Sequence, residues 1–164
     1  MYIRKAESRE LTKIMGVYKI ARNFMVKHGN PGQWGPNDPS QALIDSFLHK
    51  EQVYVVCVGM DIKAVFVLSD GGEPAFDTLI DGNWVNNAPY RIIHWVASDG
   101  TEHGIMRFIT DYAKDKCDNL RIATHEKNLP MRHKLATCGF KNCGTMRLES
   151  GAARMAFMWS RSMN

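Results

Sequence analysis

The sequence predicts an α/β fold with a mixed, mostly antiparallel sheet flanked by helices. One reason is the junction at residues 90–115. Tyr90 to Ala97 is a mostly apolar run with Ile92, Ile93, Trp95 and Val96, of a length and β-branched content that suit an interior strand. From Ile105 the period changes, and Ile105, Ile109 and Tyr112, with Met106 and Ala113 beside them, recur at helical intervals. A second reason is a pair of β-branched runs, from Val53 to Val58 and from Ala64 to Leu68, separated by Gly59-Met60-Asp61 as in a hairpin. The third is the order along the chain: strand, two helices, a run of antiparallel strands, helix, strand, helix, two strands.

The first strand is read from Tyr2 to Ala6, after which Ser8 can cap a helix whose face is Leu11, Ile14, Met15, Tyr18, Ala21 and Met25, ending at Gly29. Residues 29–38 form a loop rich in glycine and proline that carries Trp34, an indole either pinned on the core or lining a pocket. Asp38 then caps a second helix, with Pro39 at its first position and Leu43, Ile44, Phe47 and Leu48 on its apolar face. After the hairpin, Phe76 to Leu79 reads as a strand or extended segment, followed by a linker through Trp84 and Pro89. Beyond the central helix come a strand from Leu120 to Thr124, a helix opened by Asn128-Leu129-Pro130 with Met131, Leu135 and Cys138 at helical spacing, and a closing strand pair around Glu149-Ser150-Gly151.

The chain has 164 residues, 45% hydrophobic and 23% charged, which suits one domain over 1–164 that buries roughly 70% of its unfolded surface. The net charge of +4 comes from scattered basic residues, so no nucleic-acid footprint is indicated. No signal peptide and no apolar run of ~20 residues is present, which points to a cytoplasmic protein with no membrane partner. Cys57, Cys117, Cys138 and Cys143 are expected as free thiols. Cys138 and Cys143 with His125 and His133 match no metal-site template, so no metal is expected.

The connector Ser98-Asp99-Gly100-Thr101-Glu102-His103-Gly104 joins the buried strand to the central helix. A helix start of this kind offers unpaired N–H groups and partial positive charge, enough to hold a pyrophosphate. The spacing resembles motif A of the GNAT superfamily of N-acetyltransferases, Arg/Gln-x-x-Gly-x-Gly/Ala after a strand valine. Val96 matches the valine, Thr101 falls at the Arg/Gln position, Gly104 at the first glycine and Met106 at the second small residue. Thr101 and Met106 depart from the pattern. A second signature, Thr124 to Phe140, is similar to the family's fourth-helix region through Asn128, Met131, Gly139 and Phe140, and the Asn30 to Gly35 loop resembles that of some family members. The resemblance covers about residues 3 to 159.

The resemblance implies a GNAT-like sheet with splayed central strands and acetyl-CoA as acyl donor. The pantetheine would lie along His94, Trp95 and Val96, the pyrophosphate on Thr101, Glu102, His103, Gly104, Ile105 and Met106, and Asn128 and Met131 near the pantetheine arm. Gln33 and Trp34 would lie over the acceptor cleft, the acceptor being a small-molecule or peptide amine. A homodimer is compatible with this reading. Leu135 stands where many members have a Tyr that protonates the thiolate. For the base, His94 comes first, being two residues before Val96 and so on the same side of the strand, with His125 and Glu126 as a second pair. The same features suit a different class, a non-catalytic CoA- or ligand-binding GNAT-like regulatory module.

Overall fold

The computed structural model describes residues 1–163. Eight strands form one sheet in the order β1-β2-β3-β5-β6-β8-β7-β4: β1 Tyr2–Lys5, β2 Val53–Val58, β3 Asp61–Asp70, β4 Asp81–Gly82, β5 Arg91–Ser98, β6 Asn119–Thr124, β7 Lys141–Arg147 and β8 Ala153–Ser160. Every neighbouring pair is antiparallel except β5 and β6, whose parallel pairing brings the two strands of the central crossover side by side. The helices are α1 Leu11–Lys27, α2 Gln41–His49, α3 Pro74–Asp77, α4 Ile105–Lys114 and α5 Leu129–Thr137. None is long and apolar enough to cross a membrane among the described residues.

Period-two alternation in the inner strands sorts side chains to two faces. Tyr54, Val56, Phe66 and Leu68 pack with Ile105, Ile109 and Ala113 of α4 and Leu135 of α5. Val53, Val55, Val65 and Val67 pack with Ile14, Val17 and Tyr18 of α1 and Ile44 and Leu48 of α2. A smaller cluster of Phe76, Ile92, Met146 and Ala156 sits under the segment between β3 and β5.

That segment is held down by Arg121 on β6, which is only 1% exposed. Its guanidinium lies 3.8 Å from the Tyr90 ring centroid and 4.2 Å from that of Trp84. It donates to the carbonyls of Phe76 (2.7 Å) and Asn86 (2.9 Å). At the far edge, Gly82 and Gly144 face each other so closely that a β-carbon on either would strike the other's backbone, and only glycine permits β4 to pair there.

Three sequence expectations are corrected. Ser8 does not cap a helix; it begins a 3-10 turn (Ser8–Glu10) preceding α1, stapled by the Glu7 N–H donating to Glu10 at 2.8 Å. The cap of α2 is Ser40, whose hydroxyl accepts from the Leu43 N–H, while Asp38 accepts from the Gly35 N–H and so closes the loop instead. Phe76 lies in a helical turn rather than a strand, because Pro74 supplies helical φ at its first position and the Phe76 N–H bonds back to Glu73.

Candidate active site

β5 and β6 pair only at Arg91↔Leu120 and Ile92↔Arg121. Beyond that the strands part, and the gap becomes a cleft lined by His94, Trp95 and Val96 on one side and Ile122, Ala123 and Thr124 on the other, with Met131 of α5 and Gln33 and Trp34 of the loop between α1 and α2 closing its ends. The edge of β5 from Ile93 onward that faces β6 is therefore without a strand partner among the described residues.

β5 also carries a bulge. Val67 faces His94 and Val65 faces Ala97, so β5 spends one more residue than β3 over this stretch, and Trp95 takes φ +52°. The bulge breaks the alternation on which the sequence reading of His94 relied. Val96 packs on the α4/α5 face, whereas Trp95 packs on the α1/α2 face and the His94 ring sits edge-on against Phe47 of α2 (5.1 Å between centroids). His94 and Val96 thus lie on opposite sides of the sheet. The Tyr18 hydroxyl donates to the Trp95 carbonyl at 2.7 Å, and Trp34 rests on both rings, 5.8 Å from Tyr18 and 5.5 Å from Trp95.

In the loop before α4, the Thr101 N–H and hydroxyl both bond to Asp99, whose carboxylate is 3.7 Å from Lys63. Thr101 is thereby spent on the turn. The N–H groups of Glu102, His103, Gly104, Ile105 and Met106 find no backbone acceptor among the described residues; the first helical bond runs from the Phe108 N–H to the Gly104 carbonyl. Gly104 takes φ +74° as the cap of α4, and a β-carbon placed there would meet nothing within 4 Å. His103 is exposed, and the side chains of Ile105 and Met106 are core.

Asn128 caps α5, its oxygen accepting from the Met131 N–H at 3.2 Å. Its amide nitrogen donates to Gln33 Oε1 at 2.9 Å. The same oxygen accepts from Asn30 (3.0 Å), from the Thr124 hydroxyl (3.3 Å) and from the His125 N–H (3.4 Å). Gln33 therefore ties the loop, the end of β6 and the start of α5 into one unit. Leu135, at 0% exposure, is buried in the core, and its side chain does not line the cleft.

The α1/α2 side of the cleft holds His94 together with two charged groups that the sequence reading did not single out, Glu73 and Arg154. His94 Nε2 is 3.0 Å from the Ser69 hydroxyl, and its Nδ1 is 4.0 Å from Glu73. Burial lowers the imidazole to about 4, so it is neutral at pH 7. Partial burial of the Glu73 side chain, still 47% exposed, raises its carboxyl from the ordinary value, with repulsion from Glu149 adding to the shift. Arg154 of β8 lines the same cleft and donates to the carbonyls of Gln33 (2.9 Å) and Ala153 (2.9 Å). His125 and Glu126 do not line it: His125 Nδ1 accepts from the Lys127 N–H, and Glu126 is exposed. Glu73 gave no signal in the sequence because it sits in a glycine-proline linker, and Arg154 falls in the closing strand, where a lone arginine carries no local mark of a site.

No protein-family model matches the chain, nor does any curated protein. Solved structures do. A GNAT-family acetyltransferase from Streptococcus agalactiae is 26% identical, with 97% of this chain and 94% of that one covered and a TM-score of 0.87. The YncA protein of Salmonella typhimurium with its cofactor acetyl-CoA is 12% identical, covering 98% and 94%, with a TM-score of 0.63. The aminoglycoside acetyltransferase AAC(6')-Ib in complex with coenzyme A and kanamycin is 14% identical over the same shares, with a TM-score of 0.63. The chain therefore has the fold of the GNAT acetyltransferases, the family that its sequence motifs resemble.

Proposed function

We propose that the protein is an N-acetyltransferase that moves an acetyl group from acetyl-CoA to a primary amine. The observation that carries this reading is the parting of β5 from β6 beside a helix start whose amides are free. The residues present fit the donor. An unpaired strand edge suits the amides of pantetheine, the amides of Glu102 to Met106 suit a pyrophosphate, and the open space over Gly104 leaves room for it.

Acetyl-CoA, when bound, supplies a thioester carbonyl that an amine nitrogen can attack, with cleavage of the C–S bond and release of the thiol. The protein must orient the two partners and accept the amine's proton. Glu73 is the better acceptor than His94, because an imidazole lowered to about 4 takes protons poorly at pH 7. The neutral ring also leaves the carboxylate 4.0 Å away without a competing cation. His125 and Glu126, outside the cleft, take no part. With Leu135 buried, the thiolate leaves without a side-chain acid and is protonated by solvent.

Thiol release from acetyl-CoA across a panel of primary amines tests the activity; release that depends on the amine is the expected result. Glu73→Gln should lower kcat by about 10²-fold or more with acetyl-CoA binding retained. Binding of acetyl-CoA without release from any amine would favour the second reading, a CoA-binding module without turnover, for which the burial of Leu135 is the supporting observation.

A further inference from the structure

The acceptor side of the cleft holds one cationic and one anionic side chain that do not neutralise each other. Arg154 and Glu73 both line it, yet among the described residues no carboxylate lies within 4.0 Å of the Arg154 guanidinium. The guanidinium is fixed by the carbonyls of Gln33 and Ala153, which absorb part of its donor set and none of its charge. The same cleft is lined by Trp34, Trp95, Phe76 and Leu148, which give it apolar surface beside the two charges. A half-buried cation with no counter-ion is costly, and the cost falls when a ligand brings one.

We propose that the acceptor is an amino carboxylate with an apolar body, an amino acid whose ammonium group faces Glu73 and whose carboxylate pairs with Arg154. This rests on the transferase reading and narrows it. Guanidinium and carboxylate form paired N–H···O bonds, which gives both strength and orientation. A polyamine, by contrast, would set a second ammonium against Arg154.

The test compares thiol release from acetyl-CoA with L-leucine, L-phenylalanine, β-alanine and 4-aminobutyrate against the amide of each, with spermidine as the polycation. The wild-type protein should prefer a carboxylate over its amide by about ten-fold or more in kcat/KM, the spacing of the preferred compound separating α- from ω-amino acids. In Arg154→Gln that ratio should collapse toward one, and Arg154→Lys should restore part of it. Damage to the loop that Arg154 also holds would lower both substrates together and preserve the ratio, so an unchanged ratio in Arg154→Gln overturns the proposal. Amides or spermidine used as well as carboxylates by the wild type would overturn it while leaving the transferase reading intact. No release with any of these amines, nor with simple alkylamines, would remove both.

Discussion

The hydroxyl of Tyr18, on α1, donates a 2.7 Å hydrogen bond to the carbonyl of Trp95, the residue at which β5 bulges at φ +52°. A non-glycine residue in the left-handed region costs energy, and here a fully buried partner holds it in place. The bulge sets Trp95 on the α1/α2 face, 5.5 Å from Trp34. Tyr18→Phe should therefore lose about 1–3 kcal/mol of stability, through a buried acceptor left unpaired, and should impair catalysis more than that loss explains. Chemical denaturation and steady-state kinetics on the same variant check both.

Trp34 settles between the two alternatives the sequence left open: it is half-buried, packs on Tyr18 and Trp95, and lines the cleft. Trp34→Ala is expected to raise the acceptor KM by about ten-fold while acetyl-CoA affinity changes little, since the ring lines the cleft and not the loop before α4. Its stability loss should fall below the ~3–5 kcal/mol of a fully buried aromatic.

The pH dependence of stability has two separable parts. An unfolded imidazole titrates near 6.5 and the folded His94 near about 4, so between those values the unfolded state binds more protons and stability falls as the pH is lowered. The loss is at most on the order of 3 kcal/mol. Glu10 behaves differently: its hydrogen bonds from Arg4, at 2.8 and 2.7 Å, lower it from 4.5 to about 2, so its contribution is present above pH 4.5 and is lost only as the pH falls toward 2. His94→Gln should flatten the first part of the curve and leave the second. A stability profile unchanged between pH 6.5 and 4 in that variant would place the titration elsewhere.

Leu135→Ala should cost about 2–5 kcal/mol through a cavity, with no change in the pH profile of thiol release, because the side chain is enclosed by the core and does not line the cleft. A change in the alkaline limb would connect this position to the proton transfers after all.

The architecture was largely legible because its signals are local. The hairpin of β2 and β3, the strand-to-helix change at Gly104 and the Asn128 cap each follow from residues within a few positions of one another. The expected splay of the central strands came from the family resemblance, and the register of β5 and β6 agrees with it. What escaped is non-local. Gln33 meets Thr124, His125 and Asn128 across more than ninety residues of chain, and no periodicity announces such a contact. The bulge at Trp95 likewise depends on the partner strand, and it moved His94 to the face opposite Val96. Glu73 is positioned by a linker whose anchor, Arg121, sits on the strand read from Leu120 to Thr124, where nothing local marks it as a tether.

The central claim is that the free amides before α4 receive the pyrophosphate of acetyl-CoA, and calorimetric titration of acetyl-CoA into the wild type, Gly104→Ala and Gly104→Glu tests it most directly. Both substitutions strain the left-handed cap at φ +74°, so the alanine variant accounts for strain while the glutamate adds negative charge where the anion would lie. The wild type should bind, the alanine variant should bind more weakly by a few-fold, and the glutamate variant, folded by circular dichroism, should lose about 10²-fold or more. A folded Gly104→Glu protein that binds acetyl-CoA as tightly as Gly104→Ala, or a wild type that does not bind it, would contradict the assignment.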